Sequence, residues 1–313
     1  MNKNTKIWLN YVLGGIISIL LLWGIYLQVQ KQLQRIDSNA IWNTGPNYLL
    51  YLTIILMPLN LALEAKKWQL LTKSAQPIAY KQALTSLLAG IAFSIITPNR
   101  IGEYPGRLLY LKRKNTLRLI GVAVLGAVAQ MLTLFVYGLI GLVYYNIAFP
   151  GTIQTIVLVA CALCTVIIGL VYWRFDTWMP LIERVKWLRK YNVYGKLLKR
   201  FTTKQQLTIL LISLFRFAIY TAQYLILLRW MHVYMPLAEG FMMAALFFWV
   251  ISVIPSVTLV ELGERGQVGL YLFHHFSDNT VGILGATVGV WCINLIIPAV
   301  VGSILLFRMR LLR

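Results

Sequence analysis

Apolar residues in this chain gather into long runs separated by short polar stretches. Runs over Ile7–Val29, Tyr48–Leu63, Thr116–Tyr145, Thr152–Trp173, Leu207–Trp230 and Thr280–Phe307 predict six helices. A bilayer requires about 20 residues per spanning helix, and Tyr48–Leu63 is the shortest by that measure. The first run follows a basic start, as in a signal peptide. It is too long for one and lacks a convincing small-residue cleavage site, so it reads as a retained helix. Two regions, Tyr80–Lys114 and Pro236–Asp278, resist the pattern. Each is an apolar arm followed by a polar stretch containing Pro and Gly.

Composition fixes the solvent. Of 313 residues 59% are hydrophobic and 12% charged, with mean hydropathy +0.72; a soluble domain has about 45–50% and 25%. The fold class expected is an all-α integral membrane protein, one polytopic domain over residues 1–313. The 29 Lys+Arg against 9 Asp+Glu give a net charge of +20. In a soluble chain that excess suggests nucleic acid. Here the basic residues fall between apolar runs, as topology signals and contacts to anionic lipid. No nucleic-acid partner is expected. Cys161, Cys164 and Cys292 all lie inside apolar runs without metal-site spacing around them, so no metal or cofactor is expected.

Charge asymmetry orients the runs. Cytoplasmic connections carry excess Lys and Arg. Lys66, Lys67 and Lys73; Lys112, Arg113, Lys114 and Arg118; the linker Arg174–Lys204; and Arg308, Arg310 and Arg313 qualify, whereas Asn146–Gly151 carries no charge. With both of the first two clusters inside, Tyr80–Lys114 must enter from the cytoplasm and return to it as a re-entrant hairpin. By the same reasoning Pro236–Asp278 starts and ends outside. Both termini are predicted cytoplasmic.

The two halves, about 47–145 and 207–307, then read as an inverted repeat joined by a basic interfacial linker, 174–206. AFSIITPNRIGEYPGR aligns with FWVISVIPSVTLVELGER: an apolar arm, a Pro, then Glu-x3-Arg, as Glu103 with Arg107 and Glu261 with Arg265. A spacing of four places both side chains on one helix face with Glu N-terminal, the favourable order. Pro98, Gly102, Pro105, Gly106, Pro255 and Gly263 are expected to break the helices at the hairpin tips. Candidate cavity-lining or substrate-binding residues are Arg100, Glu103, Arg107, Arg216, Glu261, Glu264 and Arg265, because a charge at membrane depth costs about 2.5–3.5 kcal/mol or more unless paired or in a water-filled cavity. Arg216 stands mid-run, too far from either end to snorkel. It is free to pair with a hairpin Glu or to attract a lipid phosphate. The alternative is an ordinary headgroup-level connection at Pro98–Arg107, with Tyr80–Thr97 a full span; Lys112–Arg118 then falls outside unless another crossing intervenes.

PNRIGEYPGR and PSVTLVELGERG, each after an apolar arm, together with the multi-span layout, resemble the flippase-like transmembrane family related to the membrane region of lysylphosphatidylglycerol synthases. The resemblance covers nearly the whole chain. It implies a multi-pass protein of the cell membrane that moves or handles lipid-linked, often charged, headgroups, with anionic or amino-headgroup lipid as partner and a homo-oligomer left open. Those synthases carry a soluble aminoacyl-transferring domain after the membrane region and this sequence ends at Arg313, so no synthase activity is expected. Inverted repeats with broken helices are the architecture of secondary transporters, and the function expected is a lipid flippase or transporter-like protein. A non-transporting scaffold of a lipid or glycan pathway is the alternative. An intramembrane protease is the weakest reading, since Glu103 and Glu261 each lack the adjacent second acid that activates water.

Overall fold

The computed structural model describes residues 44–95, 97, 101–112, 115–174, 201–254 and 258–307, together with Ile19, Leu20, Trp23, Tyr26, Leu27 and Gln30, which are helical. Most of the expected first helix, the linker from 175 to 200 and the tail after Phe307 lie outside the described residues, as do Pro98, Arg100, Arg113, Lys114 and Pro255. The helices are α1 (Asn47–Thr72), α2 (Tyr80–Ile95), α3 (Glu103–Leu108), α4 (Thr116–Ala148), α5 (Thr152–Trp173), α6 (Thr203–Trp230), α7 (Leu237–Val253), α8 (Thr258–Phe273) and α9 (Thr280–Trp291). A π-helical turn, Cys292–Ile296, joins α9 to α10 (Ile297–Phe307). No strand occurs among the described residues, as expected where lipid leaves backbone groups to be satisfied within each segment.

Among the described residues, five helices are long and apolar enough to span a bilayer: α1, α4, α5, α6 and the continuous run Thr280–Leu306. This is a multi-pass, all-α membrane protein. The first of these, α1, corrects the expected end at Leu63 and continues through the charges to Thr72. Glu64 and Lys67 form an i,i+3 ion pair inside it, with Nζ and Oε2 2.8 Å apart, so the charges continue the helix instead of ending it.

α1 and α6 form a central antiparallel pair. Gly45 N–H donates to the Trp230 carbonyl at 2.6 Å, Gln223 Nε2 to the Thr53 carbonyl at 2.9 Å, and Arg216 Nε to Asn60 Oδ1 at 2.8 Å. A capping box starts α6: the Thr202 hydroxyl accepts from Gln205 N–H at 3.3 Å, and Gln205 Oε1 accepts from Thr202 N–H at 3.0 Å. Asn279 caps α9 and donates to the Met231 carbonyl at 2.9 Å, joining the end of α6 to the start of α9.

After α2 the chain folds back on itself. Thr97 Oγ1 accepts from Gly102 N–H at 2.8 Å, Ser86 donates to the Arg107 carbonyl at 2.6 Å, and Gln82 donates to the Tyr110 carbonyl at 2.8 Å. Gln76 Oε1 closes the base on Lys112 N–H at 3.1 Å. That base lies with Trp68, Leu71, Leu119, Tyr172 and Phe201. The α7–α8 pair is rooted at the other end of α4: Tyr144 donates to Glu239 at 3.0 Å, and the Tyr145 and Tyr271 hydroxyls are 3.1 Å apart. The two helical hairpins therefore open towards opposite ends of the molecule.

α2 packs on α10, and α7 packs on α4. Gly302 of α10 lies against the Leu88 backbone and Ala92 of α2, and Gly141 of α4 lies against the Met242 carbonyl and Leu246 of α7. Small residues at such crossings let helix backbones approach closely in lipid. The first end carries exposed Lys66, Lys73, Lys81, Lys112, Arg118, Arg174 and Lys204; the opposite end carries Arg229, Glu239 and Asp278.

Candidate functional site

Polar residues on one stripe of α1 found the site. Asn60, Glu64 and Lys67 recur at i, i+4 and i+7, so they share a face, and all three are buried. That face meets Arg216, near the middle of α6 and about 20 Å of helix from either end. The α2–α3 hairpin supplies Glu103 and Arg107 from the opposite side.

Glu64 is the hub. Its Oε1 accepts from Arg107 Nη2 at 2.8 Å, and its Oε2 pairs with Lys67 Nζ at 2.8 Å and with Arg216 Nη1. Arg107 Nη2 also pairs with Glu103. Gln130 of α4 accepts from Lys67 at 3.3 Å and from Arg216 at 3.4 Å, and Ser213 accepts from Lys67 at 3.5 Å. Trp68 lies under the Arg107 guanidinium, 5.2 Å from ring centroid to Cζ, a cation–π arrangement. Its Nε1 donates to Ser86 at 3.1 Å, and Ser86 in turn holds the Arg107 carbonyl. The hairpin return is thus locked in register with the cluster.

Three cations, Lys67, Arg107 and Arg216, surround two carboxylates, Glu64 and Glu103, leaving a formal +1. Buried charges in such a medium persist only when paired and hydrogen-bonded. The cluster borders a cavity of about 370 Å³ that is also lined by Ser94, Tyr104, Tyr220, Ser252, Arg265 and Asn294. Asn294 reaches it from the π-helical turn. Pro298 lacks an N–H and leaves the Asn294 carbonyl without its α-helical donor; the local rewinding is a device frequent at functional sites. Among the described residues no three His, Cys, Asp or Glu side chains converge.

Of the candidates from the sequence, Glu103, Arg107, Arg216 and Arg265 line the cavity. Glu264 is half-buried on α8 and does not line it. The side chain of Glu261, and Arg100, Pro98 and Pro255, lie outside the described residues. Gly102 stands at the hairpin tip, immediately before α3, against the Phe93 carbonyl and Thr97. Pro105 and Gly106, expected as helix breakers, lie inside α3, and Gly263 lies inside α8. Pro105 is tolerated because it falls in the first turn, where its missing N–H has no helical acceptor to lose. Arg216, for which a hairpin Glu was the expected carboxylate partner, pairs with Glu64 of α1 instead. Lys67, read as part of a cytoplasmic basic cluster, is buried in the site, whereas Lys66 and Lys73 are exposed. Sequence reasoning missed Glu64 altogether. The available signal was the Asn60-x3-Glu64-x2-Lys67 stripe in a chain with only 9 acidic residues.

A family model described as Lysylphosphatidylglycerol synthase TM region matches residues 11–302. No curated protein and no solved structure matches the chain.

Proposed function

The chain belongs to the family of the lysylphosphatidylglycerol synthase TM region, and we propose that it is a lipid flippase or transporter-like protein that passes charged headgroups through the central cavity. The observation that carries this reading is the ion cluster of Glu64, Lys67, Arg107 and Arg216 beside a cavity midway along the spanning helix α6. A headgroup crossing hydrocarbon needs polar groups where lipid offers none.

In this reading the two hairpins are re-entrant, and the halves form an inverted repeat. Four elements recur in order, with starts at Asn47 and Thr203, Tyr80 and Leu237, Glu103 and Thr258, Thr116 and Thr280, offsets of 156, 157, 155 and 164 residues. The cavity follows the same relation. Asn60 and Arg216, Ser94 and Ser252, Arg107 and Arg265, and Gln130 and Asn294 are separated by 156, 158, 158 and 164 residues, and all eight line it. Asn60 and Arg216 are hydrogen-bonded to each other, as equivalent residues beside a two-fold axis can be. Sites at the interface of inverted repeats suit alternating access, in which one repeat rocks against the other. The basic end of the molecule faces the cytoplasm of the cell membrane by the positive-inside rule. The first hairpin then enters from the cytoplasm and the second from outside. Ions that exchange partners within the cluster couple the passing headgroup to the two states.

Reconstitution into liposomes with tail-labelled phospholipids and an impermeant quencher tests the function. The expected result is quenching of inner-leaflet label by wild-type protein, falling to the protein-free rate in a folded Arg216→Gln variant. Movement of none of a panel of anionic, zwitterionic and amino-headgroup lipids overturns transport and leaves a scaffold of a lipid or glycan pathway.

A further inference from the structure

We propose that the cavity selects a phosphate-bearing, hydroxyl-rich anionic headgroup and rejects one whose charge is an amine. This rests on the reading of the cavity as a headgroup site and names the chemistry that the site accepts.

The first argument is the occupancy of the carboxylates. Both oxygens of Glu64 are already held by cations, and Glu103 is held by Arg107. Among the described side chains, an ammonium entering the cavity finds only the second carboxylate oxygen of Glu103 outside these pairs, and it lies beside three cations. Cationic hydrogen-bonding capacity is left over, by contrast. Arg107 is buried, and both of its bonds to carboxylates leave from Nη2; its Nε is enclosed without an acceptor. Arg216 uses Nε and Nη1 on protein acceptors and retains Nη2. A phosphate oxygen suits both guanidinium groups, which bind planar pairs of acceptors more strongly than neutral donors do.

The second argument is what lines the remaining space. Ser94, Ser252 and Asn294 present hydroxyl and amide groups, and Tyr220 adds an aromatic wall. These groups match a polyol, which both donates and accepts. The cavity volume of about 370 Å³ equals roughly twelve water volumes, room for a phosphate with a glycerol.

Glu103 then acts as a competitor. It shares Arg107 with Glu64, and its side chain keeps 28% exposure, so an arriving phosphate displaces it from Arg107 more readily than it displaces Glu64. Removing its charge strengthens anion binding if it competes. The same change weakens binding if Glu103 is the group that receives an amine.

Calorimetric titration of the full chain in detergent separates these. The probes are short-chain phosphatidylglycerol, its lysyl ester, short-chain phosphatidylcholine and glycerol 3-phosphate. The expected order places phosphatidylglycerol about tenfold tighter than the lysyl ester or phosphatidylcholine, with Glu103→Gln tightening phosphatidylglycerol and Arg107→Lys weakening it. Glycerol 3-phosphate binding as tightly as the lipid supports the anionic assignment and makes a soluble phosphate ester the ligand; markedly weaker binding supports it with the lipid as ligand. Equal or tighter binding of the lysyl ester, loss of affinity in a folded Glu103→Gln variant, or no binding of phosphatidylglycerol overturns the proposal. The wild-type ranking holds even if a variant fails to fold. Binding in detergent requires no movement between leaflets, so this result is independent of the liposome experiment.

Discussion

Glu64 holds the centre of the molecule through three cations brought from α1, the hairpin and α6. Replacing it by Gln leaves Lys67 and Arg107 buried and Arg216 partly buried, with only Glu103 as counter-charge. A buried pair broken on one side costs about 3–5 kcal/mol, and Glu64→Gln is expected to lower thermal stability in detergent by that order. Glu103→Gln is expected to cost only about 1 kcal/mol, because Glu103 is partly exposed and Arg107 keeps Glu64. Equal melting temperatures for the two variants contradict this ranking. Neighbouring lysines separate in the same way. Lys66 is exposed and Lys66→Ala is expected to change stability by less than about 0.5 kcal/mol, whereas Lys67→Ala removes a buried partner of Glu64 and is expected to cost measurably more. As a cluster, Lys66, Lys67 and Lys73 read alike; only the stripe shared with Asn60 and Glu64 sets Lys67 apart locally, and its other partners, Gln130 and Ser213, stand 63 and 146 residues away. Glu103 and Arg107 were legible because their spacing of four places them together on any helix.

Among the elements, the hairpin return through α3 depends on two glycines facing each other. A Cβ at Gly106 meets Gly90 Cα at 2.8 Å and the Ala89 carbonyl at 2.9 Å. These are backbone atoms that cannot swing aside, so Gly106→Val displaces α3 and draws the adjacent Arg107 from Glu64. Overpacking of this kind costs about 1–3 kcal/mol, and the variant is expected to lose both stability and ligand binding. Gly289 in α9 is the control: its Cβ meets only Leu227 side-chain carbons, at 3.5 and 3.8 Å. Gly289→Ala is expected to be neutral or stabilising by up to about 1 kcal/mol, measured by the same melting experiment. The sequence marked both hairpin regions as apolar arms interrupted by Pro and Gly, the first between two basic clusters and the second by the count of crossings from the basic linker and tail. The role of their breakers was less visible, because Pro105 is harmless in a first turn and Gly106 serves a close approach. Long apolar runs gave the spans, but α1 outran its apolar run because an ion pair neutralises the charges inside it.

At the scale of the whole molecule, the five described spans and two oppositely opening hairpins interlock, α2 resting on α10 and α7 on α4. The sequence suggested two halves through its charge asymmetry, with Glu-x3-Arg and Pro as the shared local motif. Pairs such as Gln130 and Asn294 emerge only once the folded chain brings both to the cavity, since neither neighbourhood resembles the other. The proposed passage of a headgroup between leaflets requires the hairpins to enter from opposite faces. Single cysteines at Lys114 and at Asp278, in a background lacking Cys161, Cys164 and Cys292, report this directly with an impermeant maleimide on intact cells. Labelling of Asp278 from outside, with Lys114 labelled only after permeabilisation, is the predicted result; labelling of both positions from the same side contradicts the inverted arrangement and the transport route through it.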